Sequence, residues 1–505
     1  MIRIRHLQRA LSRRRLLTII RPSSTSAAAT VVDDEEIAPT GTAFKFQKIQ
    51  QWSLRKLAET NDVKDADQVT GLLKDIGLRL DRQHSLCRQL TDIVEDLSHG
   101  GKRSPVGKQP NKNNNHKHPN VISTSSHLAP YWWNQTQQDQ QREEIKAARK
   151  NLADLEILHR NTLELAQVSY HQMNQTEQQQ SSQRSKSNMD HMLSTMKQIH
   201  ARHANTIENM ADLVIGLRPV MESSQQQQQQ SLSHLHLEHT IHAFLQGRLG
   251  VQLLCDHLIQ LCKGRPNGAI AMDCSIHEVL TDAITEATQL CEAHYLSSPP
   301  VFVLESFSND LTATLVKPWI HYTLVELLKN SMAITVEHAG GVYQQPLDED
   351  DNPATHPLYI TLEQTDNNLL LIHIHDQGGG ISRHRRKQGK SIDADSLFDF
   401  AQSRRRWDRL QDQQTYAMTR SPLQGLGVGL SMSRIMMRHL GGDLRLTDRL
   451  DTVSVSLHES VELEKGVTTT IAWNQNLDIV EAGLWSDEWK HLEPTDSQLL
   501  GQYKS

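Results

Sequence analysis

Three short segments between residues 321 and 430 constrain this chain more than any other part of its sequence. The first, at 321–331, has apolar residues at helical spacing, with a carboxylate and a carboxamide four residues apart. The second is Asp376 followed by one glutamine and three glycines. The third is the glycine-rich run at 425–429, which precedes another helical pattern. In this order and spacing, the three segments predict a pocket for a nucleotide and its metal ion.

The first segment carries the polar groups that suit a metal or a proton transfer. Glu326 and Asn330 are four residues apart, so they share one face of the predicted helix, and Lys329 lies beside them. Oxygen ligands of this kind suit Mg²⁺, which keeps several of its waters in proteins. Alternatively, the Glu326 carboxylate can accept a proton from an attacking hydroxyl group. The solvated face of an amphipathic helix has the same pattern. This segment alone therefore does not decide between a metal site, a proton acceptor and a solvated face.

The other two segments place glycines after a strand and before a helix. Asp376 follows a strand pattern at 369–375, which forms a predicted hairpin with a second strand pattern at 358–363. A carboxylate at a strand end can accept a hydrogen bond from the adenine amine, and glycines let backbone approach a ligand closely. An ordinary Asp-x-Gly turn explains that segment equally well. The glycines at 425–429 would present N–H groups to phosphate, although they lack the Lys-Ser/Thr pair of a P-loop.

Together the three segments resemble the N box and the two glycine boxes of the GHKL ATPase superfamily, which includes DNA gyrase, MutL and histidine kinases. Within it, Glu-Leu-Leu-Lys-Asn-Ser-Met at 326–332 and Gly-Leu-Gly-Val-Gly-Leu-Ser-Met-Ser-Arg at 425–434 are similar to the mitochondrial 2-oxoacid dehydrogenase kinases. That family comprises the pyruvate dehydrogenase kinases and the branched-chain 2-oxoacid dehydrogenase kinase. The Arg-His pair at 202–203 and the Arg-Leu-Gly run at 248–250 resemble the helices that precede the ATPase domain in this family.

The resemblance implies an α+β fold, in which an N-terminal helical bundle precedes a GHKL (Bergerat) α/β sandwich that binds ATP. It makes Glu326 the general base on a substrate serine, Asn330 a ligand of Mg²⁺, and Asp376 the acceptor for the adenine amine. ATP and Mg²⁺ are therefore the implied cofactors. The residues implied to bind them are Glu326, Lys329, Asn330, Asp376, Gly378, Gly380, Gly425, Leu426, Gly427, Val428, Gly429, Leu430 and Thr468.

Three positions depart from the family pattern. Ala333 and Gln377 stand where the family has arginines. Tyr322 stands four residues before the predicted base, where the pyruvate kinases have a histidine and the branched-chain kinase has a tyrosine; His321 comes directly before it. Other segments lean toward the pyruvate type, so the sequence leaves the choice between the two dehydrogenases open.

Composition limits the remaining function classes. A chain of 505 residues is long enough for two or three domains, and its net charge of −6 gives no bulk attraction to nucleic acid. A mean hydropathy of −0.54 is low for one compact globule and predicts long polar insertions. No apolar run reaches the roughly 18 residues of a transmembrane helix. Five scattered cysteines are typical of reduced thiols.

The domain organisation follows from these patterns. Residues 1–32 are rich in arginine and contain no acidic residue, as in a mitochondrial transit peptide, although a plastid peptide or a disordered basic tail shares this composition. A stretch at 383–421 occupies the position of the family's mobile lid over the nucleotide, and its arginines at 404–406 fit either phosphate contact or, more commonly, a solvated face. The predicted domains are a transit peptide at 1–32, a lipoyl-domain-binding helical bundle at 40–262 with disordered insertions at about 99–141, 175–190 and 223–232, an ATP-binding kinase domain at 270–475, and a tail at 476–505.

The resemblance therefore implies a serine kinase of the mitochondrial matrix that phosphorylates and inactivates a pyruvate or branched-chain 2-oxoacid dehydrogenase complex. Its partners would be the dehydrogenase subunit that carries the target serine, the lipoyl domain of the acyltransferase core, and a second copy of the chain in a homodimer. One alternative is a GHKL histidine kinase-like ATPase, although the His-Glu pair at 277–278 lacks the proline of a phosphoacceptor site. Another is a non-catalytic ATP-binding scaffold on the complex.

Overall fold

The structure is a computed structural model, and it describes twelve segments of the chain. Several predictions concern residues outside these segments, namely the transit peptide, most of the lid stretch, the first two residues of the glycine loop (Gly425 and Leu426), and nearly all of the C-terminal tail. The described residues are 49–60, 66–98, 131–176, 182–224, 231–305, 311–338, 356–365, 368–381, 394–400, 427–451, 453–456 and 460–481.

The N-terminal half of the described chain is helical. Its apolar residues recur every three or four positions, and in the second helix they are fully buried at Leu72, Ile76 and Leu80. That helix packs against the third and the sixth, which gives the predicted bundle. The helices are α1 (Leu54–Glu59), α2 (Ala66–Ser98), α3 (Tyr131–Thr176), α4 (Ser182–Arg202), α5 (Thr206–Ser224) and α6 (Ser231–Cys262).

The structure corrects the extent of two predicted insertions. Helix α3 begins at Tyr131, within the insertion predicted at about 99–141, and α4 begins at Ser182, within the one predicted at 175–190. Both segments lack apolar periodicity, which is why they resembled insertions. The glutamines of the first segment and the glutamine, arginine and lysine of the second nevertheless have high intrinsic helix propensity, so they continue the helices of the bundle.

Within its described residues, the C-terminal half combines a mixed five-stranded sheet with three α-helices, which confirms the predicted α+β class. The sheet order is β2-β4-β5-β9-β6, with β2 parallel to β4 and the other neighbours antiparallel; β1-β3 and β7-β8 form separate pairs. The elements are β1 (Ala271–Ser275), α7 (Ile276–Tyr295), β2 (Val301–Glu305), β3 (Thr312–Leu315), α8 (Lys317–His338), β4 (Leu358–Gln364), β5 (Leu369–His375), a 3-10 turn (Asp395–Phe398), α9 (Gly429–His439), β6 (Asp443–Arg449), β7 (Val453–Ser456), β8 (Ser460–Leu463) and β9 (Gly466–Asn474).

The sheet determines where Asp376 points. The predicted hairpin is confirmed as β4 and β5, and alternate residues of β5, including Ile372 and Ile374, are fully buried in the core that the sheet shares with α8 and α9. Because side chains alternate between the two faces of a strand, Asp376 continues the row of Ile372 and Ile374 on the helix-covered face. Within the described part of the chain, no helix has the length and apolar character needed to cross a membrane.

Candidate active site

Helices α8 and α9 bring Glu326 to the end of the glycine loop. The Lys329 ammonium donates to Glu326 Oε1 over 2.6 Å, and the two side chains are only 10% and 17% exposed. The other carboxylate oxygen faces Gly429, where an added Cβ would lie 2.2 Å from Glu326 Oε2. The predicted base therefore lies directly against the first residue of α9.

The start of α9 is suited to hold an anion. Gly427 has a φ of +77°, a conformation that glycine adopts at little cost, and the helix begins two residues later. Val428 precedes the helix and provides no side-chain cap. The first backbone N–H groups of α9 are therefore left for a ligand, and the positive end of the helix dipole favours a phosphate there. Leu430 lies in this same first turn.

Asp376 is buried at the end of β5 and is fixed by backbone groups. It is 4% exposed, and its Oδ1 atom accepts hydrogen bonds from the N–H groups of Gly378 and Val467, each over 3.0 Å. Burial raises the pKa of Asp376 to about 6 in spite of these two hydrogen bonds. Because Oδ1 is occupied, Oδ2 is the oxygen that remains to accept a hydrogen bond from an adenine amine.

The glycines after Asp376 allow the loop to approach its neighbours closely. A Cβ at Gly378 would lie 1.9 Å from the side chain of Ile334 on α8, and one at Gly380, with a φ of +82°, would lie 2.4 Å from Asp448 Oδ1. Ile334 comes eight residues after Glu326 on α8, a separation of about 12 Å along a helix axis. The adenine end and the phosphate end of the predicted pocket thus lie at separate points along the same helix.

Thr468 does not lie in this pocket, so that prediction is wrong. It pairs with His375, the residue before Asp376, and its hydroxyl contacts His375 Nδ1 over 3.0 Å and Arg449 Nη1 over 2.7 Å. Adjacent residues of a strand point to opposite faces, so an offset of one residue moves Thr468 to the face opposite Asp376. The backbone of Val467 makes the contact with Asp376 instead.

Arg449 is a structural residue of the site that the sequence did not suggest. Its guanidinium donates to the backbone oxygens of Asp376, Glu464 and Val467. It therefore ties the end of β6 to both segments that surround the Asp376 carboxylate. Nothing in the local sequence distinguishes this arginine from a solvated one at a strand end.

Two of the departures from the family pattern, Gln377 and Ala333, and the neighbouring His321 each lie in a different structural environment. Gln377 is buried and links two loops, since its Nε2 donates to Pro357 O over 2.9 Å and its Oε1 accepts from Glu464 N over 3.3 Å. Ala333 is buried on α8. His321 points to α7, where its Nε2 lies 3.5 Å from Glu286 Oε2.

Tyr322, the third departure from the family pattern, lies on α8 one turn before the predicted base. Burial, with a contribution from the negative charge of Glu326 one turn away, raises the pKa of the Tyr322 phenol. The phenol therefore stays protonated beside the base.

Asn330 is the predicted metal ligand, and it is exposed one turn after Glu326 on α8. Among the described residues, no group of three or more histidine, cysteine or acidic side chains forms a metal site. A single carboxamide at a phosphate site is nevertheless compatible with Mg²⁺, which often takes only one or two protein ligands together with substrate phosphates and water.

Comparison with known families accounts for both halves of the chain. Residues 317–475 match the family model described as histidine kinase-, DNA gyrase B-, and HSP90-like ATPase, which covers the site above. Residues 110–281 match the model described as mitochondrial branched-chain alpha-ketoacid dehydrogenase kinase, which covers most of the bundle. The two matches together cover residues 110–281 and 317–475. The chain belongs to the mitochondrial 2-oxoacid dehydrogenase kinase family.

Individual members of this family are identical to this chain at about one aligned residue in four. The mitochondrial [pyruvate dehydrogenase (acetyl-transferring)] kinase of Drosophila melanogaster is 26% identical over 62% of this chain and 74% of its own length. The mitochondrial isozyme 3 of the same kinase from Homo sapiens is 26% identical over 69% of this chain and 82% of its own. Membership of this family confirms the predicted ATP-dependent protein kinase class, and the mitochondrial relatives confirm the predicted mitochondrial matrix location.

Proposed function

We propose that this dehydrogenase kinase transfers the γ-phosphate of Mg-ATP to a serine of a 2-oxoacid dehydrogenase subunit and thereby inactivates the complex. One observation carries the proposal, namely that the Glu326 carboxylate lies against Gly429 at the start of α9. A base in this place stands beside the N–H groups that would hold the terminal phosphates. A serine hydroxyl that approached Glu326 would therefore meet the γ-phosphate.

The transfer needs little covalent chemistry from the protein, because phosphoryl transfer depends mainly on positioning and charge neutralisation. Glu326 takes the proton of the serine hydroxyl as the new O–P bond forms, and the bond to the β–γ bridging oxygen breaks to release ADP. Lys329, which donates to Glu326 Oε1, orients the carboxylate. Mg²⁺, held by Asn330, would neutralise phosphate charge. Asp376 Oδ2 would accept from the adenine amine, with Gly378 and Gly380 forming the adjacent wall.

Gly429→Ala tests the contact between the base and α9. The added methyl would meet the far end of a flexible side chain, so the fold should persist while the Glu326 carboxylate is displaced. We expect phosphoryl transfer to fall by about tenfold or more, because misplaced reacting groups lose their catalytic advantage. The rate of transfer from labelled ATP measures this effect.

The matched control is Gly216→Ala in α5, where an added Cβ meets no atom within 4 Å. Helical alanine is favoured over glycine, so this variant should melt at a higher temperature than wild type and keep its activity. Equal activity in the two variants would contradict the assigned position of the base.

Two dehydrogenases are candidate substrates, namely pyruvate dehydrogenase and the branched-chain 2-oxoacid dehydrogenase. The curated relatives are named as pyruvate dehydrogenase kinases, whereas the upstream family model is the branched-chain kinase, and Tyr322 is the branched-chain residue. We propose in addition that the bundle at 40–262 binds the lipoyl domain of the acyltransferase core and that the chain is a homodimer, as the family resemblance implies.

A parallel assay with both purified complexes tests the proposed function. Each complex is incubated with the chain and Mg-ATP, and its oxoacid dehydrogenase activity is followed with time. One complex should lose activity at least about tenfold faster than the other, a discrimination well within what differential binding can supply. If the chain binds ATP and neither complex loses activity, it is the non-catalytic scaffold instead.

A further inference from the structure

A buried carboxylate outside the candidate active site connects distant parts of the chain. Glu481 follows β9, is 3% exposed, and accepts hydrogen bonds through both oxygens. Its donors are Arg79 of α2, over 3.0 Å to Oε2 and more closely to Oε1, the backbone N–H of Trp52 over 3.0 Å, and His439 Nε2 over 2.8 Å. Because a buried charge is costly unless fully paired, this set of contacts specifies one arrangement of the four segments.

The same contacts join the first and last described segments of the chain. The Glu481 N–H donates to Trp52 O over 2.7 Å, and Ser53 and Val480 form an isolated antiparallel bridge. The Trp52 indole in turn donates to Asp75 Oδ2 of α2 over 2.6 Å. The segments at 50–53 and 478–481 are therefore fixed to each other and to the bundle at one point.

His439 brings α9 into this arrangement. It is the last residue of α9 and is fully buried, and its Nδ1 atom has no hydrogen-bond partner among the described residues. A carboxylate only accepts hydrogen bonds, so Nε2 carries the proton that is shared with Glu481.

His439 also contacts the helix that carries the base. Its ring meets the Trp319 indole edge to face, with 5.4 Å between ring centroids, and Trp319 lies on α8 two turns before Glu326. Helices α8 and α9 thus contact each other at both ends of α9, through Trp319 with His439 at one end and Glu326 with Gly429 at the other. A helix of 11 residues is a rigid rod of about 16 Å, so a shift at His439 moves Gly429 as well.

We propose that His439 is a positioning residue that sets the place of the phosphate-binding turn of α9, and that Glu481 makes this position depend on the docking of the segments at 50–53 and 478–481 onto α2. The inference rests on the proposed use of the α9 N-terminus for phosphate. Its consequence is regulatory: whatever displaces the segments at 50–53 or 478–481 from the bundle lowers the affinity for ATP. No residue of this arrangement needs to touch the nucleotide.

Affinity for Mg-ATP, measured by calorimetry on the full-length chain, tests the proposal without any protein substrate. His439→Phe keeps the ring on Trp319 and removes the donor to Glu481, while Glu481→Gln removes the charge. Each variant should weaken ATP binding by about five- to tenfold, the range of ordinary coupling between sites. The double variant should bind no more weakly than the weaker single one, because both changes break the same contact.

The matched control is Ser169→Ala, which removes a buried hydrogen bond of 2.9 Å to Thr195 inside the bundle. It should lower the melting temperature and leave ATP affinity unchanged. If His439→Phe and Glu481→Gln also melt earlier yet bind ATP as tightly as wild type, their role is structural and the proposal is overturned. Failure of the wild type itself to bind ATP would instead overturn the proposed function.

A surface variant keeps the proposal testable if the buried variants do not fold. Arg55 is 51% exposed and pairs with Asp478, so it helps to hold the segments around 50–55 and 478–481 together without entering the core. Arg55→Ala should fold and weaken ATP binding by only about twofold, because an exposed ion pair contributes little free energy. Unchanged affinity in a folded Arg55→Ala would contradict the dependence of ATP binding on the contact between these two segments.

Discussion

Glu326→Gln is expected to abolish measurable phosphoryl transfer while ATP affinity stays within about threefold of wild type. Glutamine keeps the size of the side chain and an oxygen that can accept from Lys329, so the contacts around Gly429 persist. It cannot take a proton from the serine hydroxyl, and a positioned base contributes about 10²- to 10⁴-fold to a rate. Transfer of labelled phosphate at saturating ATP and calorimetric ATP binding measure the two effects separately.

Glu337→Gln provides the control for that experiment. Glu337 lies on the same helix as Glu326, eleven residues later, and is exposed, with its carboxylate accepting from the Tyr295 hydroxyl. Its replacement should leave transfer unchanged. Full activity in Glu326→Gln would remove Glu326 from the role of base, and loss of ATP binding in that variant would make it a nucleotide ligand instead.

Asp376→Asn is expected to weaken ATP binding by about tenfold or more while it stabilises the empty protein above pH 6. An asparagine oxygen can still accept from Gly378 and Val467, and its amide nitrogen then occupies the place of Oδ2. Two donors, the amide and the adenine amine, would face each other there. A buried group left unpaired in this way costs enough for such a loss of affinity.

The stability effect of Asp376→Asn has a definite sign. Burial raises the pKa of Asp376 to about 6, above its ordinary value of 3.8, so the folded protein holds this proton more tightly than the unfolded chain. The raised pKa therefore costs stability as pH rises through 6, on the order of 2–3 kcal/mol in full. The asparagine variant avoids that cost. Its melting temperature should exceed that of wild type at pH 7.5, and the gain should shrink at pH 5.

Asp443→Asn should show the opposite sign. Burial raises the pKa of Asp443, but ion pairing and hydrogen bonding with Arg438 and ion pairing with Arg434 outweigh burial and hold the pKa below its usual value. A lowered pKa adds stability above the unfolded value, so asparagine should lower the melting temperature at pH 7.5. Destabilisation by both variants would contradict the account of Asp376.

The placement of several predicted site residues on helices and strands follows from local patterns. Alternation revealed β4 and β5, and helical spacing placed Glu326 and Asn330 on one face of α8 with Lys329 beside them. A pattern of this kind depends only on residues close together in the sequence, so it can be recognised without knowing how the rest of the chain folds. The same reasoning failed for Thr468, because a single residue of offset reverses the face of a strand.

The parts that the sequence missed depend on contacts between distant residues. Arg449 lies 73 residues from Asp376, and Glu481 lies 402 residues from Arg79, so no local spacing relates them. The hydrogen-bond partners of Arg449 and Glu481 depend on how the sheet, α9 and the bundle pack together. The polar ends of α3 and α4 were missed for another reason, since intrinsic propensity extends a helix without any apolar pattern.

The destination of the γ-phosphate tests the central claim most directly. The purified chain is incubated with γ-labelled Mg-ATP and each dehydrogenase complex, and the labelled residue is mapped by mass spectrometry after acid treatment. We expect acid-stable label on a serine of one dehydrogenase subunit, in proportion to the loss of that complex's activity, and none with Glu326→Gln. Label found only as inorganic phosphate, or as acid-labile phosphohistidine on the chain itself, would contradict a serine kinase.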